Sequence, residues 1–146
     1  MSAKLGSHID NLSQLRLMAI KPGDVFLGEM DGVDHEEFFI VAGVSGDRIL
    51  CCSVLINSKI NPFIMRRPHM LERQLCLRAD EYDFLSHESY VNCAQPFKSR
   101  LDFFSDAGYK YKGCLSEIHI KQVQDFLITS GQLTQEEIDL YFPSVK

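Results

Sequence analysis

The sequence predicts a mainly β fold with C-terminal helices, a small antiparallel β-barrel of about five strands followed by an α-helix. Three apolar runs between residues 25 and 56 are separated by tight turns. Connections this short favour antiparallel pairing, because parallel crossovers need a dozen or more residues. Residues 80–100 then combine turn chemistry with strand-forming residues, and the last part of the chain carries two helix caps.

The first three predicted strands each follow turn-forming residues. Lys21–Asp24 has Pro in its second position and Gly in its third, the pattern of a type II turn, and Val25–Met30 follows as the first strand. Asp31-Gly32 is a hairpin signal. Glu36–Val44 is nearly continuous in apolar character and is therefore expected at the centre of the sheet. Arg48–Ile56 is the third strand and has the same buried character.

The next part of the chain alternates between irregular and strand-like segments. Asn57–Met70 contains two prolines and is predicted to be irregular. Leu71–Ala79 predicts a strand with Leu75 and Leu77 facing inward, and a short helix is the competing interpretation. Asp80–Arg100 begins with an acidic turn and continues into a fifth strand, which we expect to close the barrel.

Within that stretch, Ser86-His87-Glu88 contains the residue types of a catalytic triad but cannot have its geometry. Adjacent residues on a strand point to opposite faces, so the three cannot align as a triad. We expect His87 to form a hydrogen bond with its own backbone instead.

The C-terminal part is predicted to be helical after an aromatic and polar segment without a clear period, Leu101–Lys112. Ser116 caps a helix that runs to Thr129, with Gly131 ending it. Its apolar stripe is predicted to comprise Ile118, Val123, Phe126 and Leu127. Thr134 and Glu137 form a capping box for a last short helix. The chain is therefore one domain, with a helical extension at 1–20, a β-barrel at 21–112 and helices at 113–146.

Charge and cysteine content narrow the classes of function. The net charge of −5 argues against a protein that coats nucleic acid non-specifically. The five cysteines are odd in number and lack CxxC spacing, so we expect no zinc site and no disulfide framework. No two of the five histidines have the close helical spacing of a metalloprotease, and we expect no metal or other cofactor. Cys51, Cys52, Cys76 and Cys93 lie in apolar runs and are expected to behave as small hydrophobic residues. Without a signal-peptide-like or membrane-spanning run, we expect a cytoplasmic protein.

A basic loop is the main candidate for chemistry. Arg66 and Arg67 could neutralise a phosphate and His69 could exchange a proton near neutral pH, so these three are the predicted catalytic residues. Lys59, Arg48 and Arg73 are predicted to bind RNA nearby. A metal-free ribonuclease needs such parts: a base, an acid and a cation for the phosphorane. A solvated loop whose charges only keep the chain soluble is the alternative.

Three short motifs resemble the MazF/PemK family of toxin–antitoxin ribonucleases. They are Pro22-Gly23-Asp24-Val25 at the first strand, SYVNCAQPFKSRL at Ser89–Leu101, and Gly113-Cys114-Leu115-Ser116 before the helix. The resemblance implies an SH3-like β-barrel with a C-terminal helix and a homodimer. It also implies endoribonuclease activity on single-stranded RNA and a small antitoxin that covers the groove.

The chain departs from the family pattern where the family places its chemistry. The positions that match the family's catalytic arginine are Glu36 and Glu37, and those that match its Ser/Thr are Asn57 and Ser58. A carboxylate in place of a cation reverses the local field and repels RNA. Two functions therefore stay open: an endoribonuclease toxin, and a non-catalytic SH3-like interaction module or degenerate toxin relative.

Overall fold

The computed structural model describes residues 18–29, 35–105 and 108–143. The strands are β1 (Asp24–Glu29), β2 (Glu36–Val44), β3 (Leu50–Asn57), β4 (Gln74–Leu77), β5 (Ser89–Asn92), β6 (Phe97–Arg100) and β7 (Lys110–Cys114). The α-helices are α1 (Pro62–Met65), α2 (Pro68–Leu71), α3 (Glu117–Thr129) and α4 (Gln135–Tyr141), and 3₁₀ turns lie at Ala79–Glu81 and Leu101–Ser105. The predicted N-terminal helix and the Asp31-Gly32 hairpin signal lie outside the described residues, apart from positions 18–20.

All seven strands belong to one antiparallel sheet, which confirms the mainly β class with C-terminal helices. The strand order is β4-β5-β3-β2-β1-β7, and β6 pairs with the first half of β3 while β5 pairs with its end. In the described residues β4 and β7 do not pair with each other, so the sheet is open where the sequence predicted closure.

Strands β2 and β3 are central, as the continuous apolar runs predicted, because both faces of this part of the sheet are covered. On one face, Ile40 and Ala42 of β2 share a core with Val123 and Leu127 of α3. On the other face, Phe39 and Val41 belong to a second core. Residues two apart on a strand share a face, so the alternation within β2 divides its side chains between two cores.

Half of the side chains in the second core are aromatic. The Phe39 side chain is 0% exposed, and its ring centroid lies 5.6–5.7 Å from those of Phe103, Phe104 and Tyr109. The first two of these come from the 3₁₀ turn at Leu101–Ser105, a segment in which no period was visible in the sequence. Ring pairs at such distances, edge to face, add to the stabilisation that burial gives.

The turn before β1 and the predicted helix caps are confirmed. Gly23 has φ of +101°, and the Asp24 N–H donates to the Lys21 carbonyl oxygen over 3.1 Å, so this turn requires its glycine. The Ser116 hydroxyl accepts a hydrogen bond from the His119 N–H at the start of α3. Thr134 and Glu137 form the reciprocal capping box of α4.

Two strand predictions were wrong in detail. The stretch predicted as one closing strand forms two, β5 and β6, and both pair with β3. The break falls at Cys93–Pro96, because the Asn92 side chain accepts the Ala94 N–H to form a turn and Pro96 has no N–H to continue the ladder. In addition, no strand was predicted at β7. It is an edge strand on β1 with lysines at Lys110 and Lys112, and it has no apolar alternation from which it could be predicted.

Two helical predictions also change. The loop at 57–70 contains two single-turn helices, since Pro62 and Pro68 each occupy a first helical position, where a missing N–H costs little. Ile118 does not belong to the buried stripe of α3, because its side chain is 72% exposed; Ile120 packs there instead.

The cysteine prediction holds for three of four residues. Cys51, Cys52 and Cys93 are buried, and burial raises the pKa of Cys52 and of Cys93 to about 12. Cys76 is exposed, contrary to the prediction, because it faces outward on β4, the strand at the sheet edge. In the part of the chain that is described, the longest helix has 13 residues, and none has the length and apolar character of a membrane span.

Candidate functional site: a cleft between strands β2 and β3

A cleft of about 580 Å³ opens where β2 begins and β3 ends. We call it the β2–β3 cleft. Its lining comes from five places: the start of β2, the end of β3, the α1 turn, the loop before β5, and β5 with the turn that follows it. The polar residues among the lining are His35, Glu36, Glu37, Asn57, Ser58, Lys59, Asn61, Ser86, His87, Ser89, Asn92 and Gln95.

An imidazole and a carboxylate are in close contact at the cleft. The His35 Nε2 lies 2.7 Å from the Glu37 Oε1, and the two side chains are 66% and 16% exposed. Their spacing of two residues at the start of β2 places both on one side of the strand. A carboxylate in this position can fix the orientation and the tautomer of the ring, which suits an imidazole that exchanges protons.

A second imidazole comes from the loop before β5. The His87 Nδ1 lies 3.2 Å from the Glu88 carbonyl oxygen, so its backbone partner is the next residue, where a bond with its own backbone was predicted. The same nitrogen lies 3.4 Å from the hydroxyl of Ser89, which is buried and also donates to the His87 carbonyl oxygen. His87 is therefore held by its own turn while it lines the cleft.

The remaining walls are apolar or held by hydrogen bonds. Phe38 and Phe84 face each other with ring centroids 5.5 Å apart. The amide of Asn92 is buried; its oxygen accepts from Gln74 Nε2 over 2.9 Å and its nitrogen donates to Gln95 Oε1 over 3.0 Å. A satisfied buried amide of this kind fixes the floor of the cleft.

The structure brings together the positions that the resemblance matched to the family's chemistry. Glu36 and Glu37 stand at the start of β2, Asn57 and Ser58 at the end of β3, and all four line the cleft. The strands pair antiparallel, with Phe38 opposite Ile56, so the start of one strand adjoins the end of the other.

The six residues predicted for catalysis and RNA binding do not gather in this cleft. Lys59 lines it and is exposed, so its ammonium is available there. Arg66, Arg67 and His69 lie on the adjoining α1–α2 segment and are not among the lining residues. The guanidinium of Arg67 stacks over the half-exposed Phe63 ring, 3.5 Å from its centroid.

The other two predicted cations have structural partners. Arg48 occupies the β2–β3 turn with φ of +61°, and its Nη2 donates to the Ile20 carbonyl oxygen over 2.6 Å. Arg73 donates to the carbonyl oxygens of Phe126 and Thr129, over 3.2 and 3.1 Å, in the last turn of α3. A cation at this end of a helix complements the helix dipole.

Comparison with protein-family models gives no match to this chain. No curated protein matches it either. The chemistry of the cleft is therefore the basis for assigning a function. Among the described residues, no three His, Cys, Asp or Glu side chains are grouped so that they could hold a metal ion.

The sequence contained a signal for the contact between His35 and Glu37 that was not recognised in it. In DGVDHEEFF the histidine precedes a carboxylate by two residues at the start of a predicted strand, and strand alternation places such a pair on one side. His87 was examined only as part of a local triad. Its place in the cleft depends on how β5 pairs with β3 and is not visible in the local sequence.

Proposed function

We propose that this protein is an endoribonuclease toxin of a toxin–antitoxin pair, which cleaves single-stranded RNA in the β2–β3 cleft without a metal ion. The observation that carries the proposal is the contact of 2.7 Å between His35 Nε2 and Glu37 Oε1, in a cleft that Lys59 and His87 also line. These groups supply what the reaction needs: a base for the ribose 2′-hydroxyl, an acid for the leaving 5′-oxygen and a cation for the phosphorane.

In the proposed mechanism His35 accepts the proton of the 2′-hydroxyl while Glu37 stabilises the resulting imidazolium. The 2′-oxygen attacks phosphorus, and the bond from phosphorus to the 5′-oxygen breaks. His87 protonates that leaving oxygen, and Lys59 compensates the charge of the phosphorane. The products are a 2′,3′-cyclic phosphate and a free 5′-hydroxyl, so one proton is taken up and one is released.

The basic α1–α2 segment is proposed to guide RNA into the cleft. Residues 57–73 carry four cations and one carboxylate, a net of +3, in a chain whose net charge is −5. Asn61 and Ile64 of this segment line the cleft, and Arg66 and Arg67 follow directly. His69 is exposed on the same segment. Local positive charge next to the cleft offsets the repulsion expected from Glu36 and Glu37.

The partners that accompany this function are proposals as well. A small antitoxin would occupy the cleft and the basic segment, and the toxin would act as a homodimer in the cytoplasm, where its RNA is found.

The test combines induced expression with cleavage of a mixed single-stranded RNA by the purified chain in the presence of a chelator. We expect growth arrest and products that end in 2′,3′-cyclic phosphate. An Arg66→Ala/Arg67→Ala double variant should reduce cleavage at least tenfold by weakening phosphate neutralisation. The matched control is Arg78→Ala/Arg100→Ala, which removes the same charge from two exposed ion pairs with Asp80 and Asp102. Equal loss in both double variants would show that only overall charge matters.

The second candidate is a non-catalytic interaction module. It is favoured by the large apolar side chains that α1 and α2 expose: Phe63 is 47% exposed, Met65 56% and Leu71 36%. Exposed apolar side chains within one short segment are typical of protein-binding surfaces. Harmless expression, together with no cleavage of mixed RNA by the folded chain, would select this function over the toxin.

A further inference from the structure

The side chains of Lys21 and Cys114 meet at the corner where β1 begins and β7 ends. The Lys21 Nζ lies 3.2 Å from the Cys114 Sγ, although the residues are 93 positions apart in the chain. Both side chains can be reached by small solutes, since that of Lys21 is 61% exposed and Cys114 is exposed. An amine and a thiol, the two most nucleophilic groups of proteins, therefore face each other at the surface.

Hydrogen bonds of the neighbouring backbone hold both Cys114 and Lys21 in place. Asp24 is opposite Cys114 in the β1–β7 ladder, and the Leu115 N–H donates to the Gly23 carbonyl oxygen over 2.9 Å. On the lysine side, the Asp24 carboxylate accepts from the Lys21 backbone N–H over 3.0 Å and from its Nζ over 3.1 Å. A Cβ on Gly23 would lie only 3.1 Å from the Cys114 Sγ, so the glycine leaves room for the sulfur.

The five cysteines of the chain differ in their surroundings, and Cys114 is the one whose sulfur accepts a hydrogen bond from a lysine ammonium. A hydrogen bond with Cys114, followed by one with Asp24, raises the pKa of Lys21 above its usual value, so the lysine is an ammonium beside the sulfur. Cys76, also exposed, has the opposite setting: partial burial and the Glu88 carboxylate raise its pKa. Cys51, Cys52 and Cys93 are buried.

We propose that peroxide oxidation joins Cys114 to Lys21 through a reversible sulfenamide bond. In the first step the thiolate attacks one peroxide oxygen: an S–O bond forms, the O–O bond breaks, and the departing hydroxide takes a proton from the Lys21 ammonium to become water. This step leaves a sulfenic acid next to a neutral amine. In the second step the amine nitrogen attacks sulfur: the S–N bond forms, the S–OH bond breaks, and hydroxide takes a proton from nitrogen to leave as water.

The bond would fasten the turn before β1 to the end of β7 and close a covalent loop over most of the described chain. A small thiol reverses it, because attack on sulfur releases the amine and gives a mixed disulfide that a second thiol reduces. Cross-links that close long loops stabilise the folded state. The cross-linked protein is therefore expected to melt about 5–10 °C higher than the reduced protein.

The test treats the purified wild-type chain with hydrogen peroxide and measures its intact mass and its peptides. The linked form is expected to be about 2 Da lighter, because two hydrogens are lost, to yield one peptide pair joined through Lys21 and Cys114, and to revert with dithiothreitol. Lys21→Arg keeps the positive charge but removes the nucleophilic amine, so its Cys114 should stop at the sulfenic acid and be trapped by dimedone. Lys110→Arg, an exposed lysine on the same strand as Cys114, should cross-link like the wild type.

Two results would overturn the proposal. One is a wild-type chain in which dimedone labels Cys114 but no peptide pair with Lys21 forms. The other is a link from Cys114 to a cysteine, most simply Cys76, that persists in Lys21→Arg. The Cys76→Ser variant distinguishes the two cross-links, because it cannot form the disulfide with Cys114 but can still form the sulfenamide with Lys21.

Discussion

Strand β2 contributes to both the polar β2–β3 cleft and the aromatic second core, and its residues in the two regions are only two positions apart. Glu37 belongs to the β2–β3 cleft, where it is 16% exposed and pairs with His35. Phe39, on the same side of the strand, is 0% exposed and sits among the rings of the second core. The strand thus changes from a polar, open region to a closed aromatic one within a single alternation. We expect changes at the closed end to alter stability and changes at the open end to alter activity.

The largest effect on stability is expected for Phe39→Ala. The substitution removes a ring that contacts several others and leaves a cavity in a close-packed core, so the free energy of unfolding should fall by about 3–5 kcal/mol. Denaturant unfolding followed by circular dichroism measures this. Ile118→Ala is the control, because that side chain is 72% exposed and should change stability by less than about 0.5 kcal/mol. Similar values for the two variants would contradict the second core as described.

A smaller loss is expected for Gly43→Ala in the same strand. An added Cβ would lie 2.4 Å from the Tyr141 carbonyl oxygen and 2.7 Å from the Phe142 ring, so the end of α4 must move away from the sheet. Overpacking of this kind costs about 1–3 kcal/mol. Gly46→Ala provides the matched control, since nothing lies within 4 Å of its added Cβ. Thermal melts of the two variants should separate by several degrees, and coincident melts would mean that α4 is not packed this closely.

At the open end of β2, Glu37→Gln should leave stability within about 0.5 kcal/mol of wild type but slow RNA cleavage about 10- to 100-fold. The amide cannot stabilise an imidazolium as the carboxylate does, although its shape is nearly the same. Glu36→Gln is the matched change at the neighbouring lining residue and should alter the rate by less than about threefold. If both variants lose activity equally, the contact between Glu37 and His35 has no special role in catalysis.

The smallest effect expected is a pH dependence from the surface contact between β6 and α4. The Lys98 Nζ bonds the Glu137 carboxylate, and this bond, followed by that from the Thr134 backbone, lowers the pKa of Glu137 below its usual 4.5. A lowered folded-state pKa contributes stability that is present above the usual pKa and is lost as the pH falls through the lowered one. The melting temperature of wild type should therefore drop more between pH 7 and the acid range than that of Lys98→Met.

Lys121→Met serves as the control for that measurement, because it removes a lysine from the exposed side of α3. Its melting curve should retain the wild-type dependence on pH. If Lys98→Met retains it as well, the pair between β6 and α4 does not contribute to stability in solution.

The sequence predicted those parts of the fold that are determined locally. Glu36–Val44 was predicted with its observed bounds because both of its faces are buried and its apolar run is continuous. The caps at Ser116 and Thr134 were predicted because each needs only one turn of chain. Strand β7 could not be predicted, because Lys110–Cys114 is an exposed edge strand held by hydrogen bonds to β1, a contact that leaves no apolar pattern.

The candidate site was less predictable, because it too depends on contacts between strands that are distant in the sequence. Charge density directed attention to Arg66 and Arg67, which are neighbours in sequence. The cleft instead joins the start of β2, the end of β3 and the loop before β5, and only the pairing of these strands brings them together. Lys59 is common to the predicted set and the cleft, while the roles of Arg66, Arg67 and His69 stay predictions.

The most direct test of a catalytic β2–β3 cleft compares His35→Asn with His69→Asn in the cleavage of single-stranded RNA under single-turnover conditions with a chelator present. Each variant removes one exposed imidazole, but only His35 lines the cleft. The rate should fall by about 100-fold or more in His35→Asn and by less than about threefold in His69→Asn. Equal rates in the two variants, or a wild-type chain that folds and leaves the RNA intact, would contradict the assignment of catalysis to this cleft.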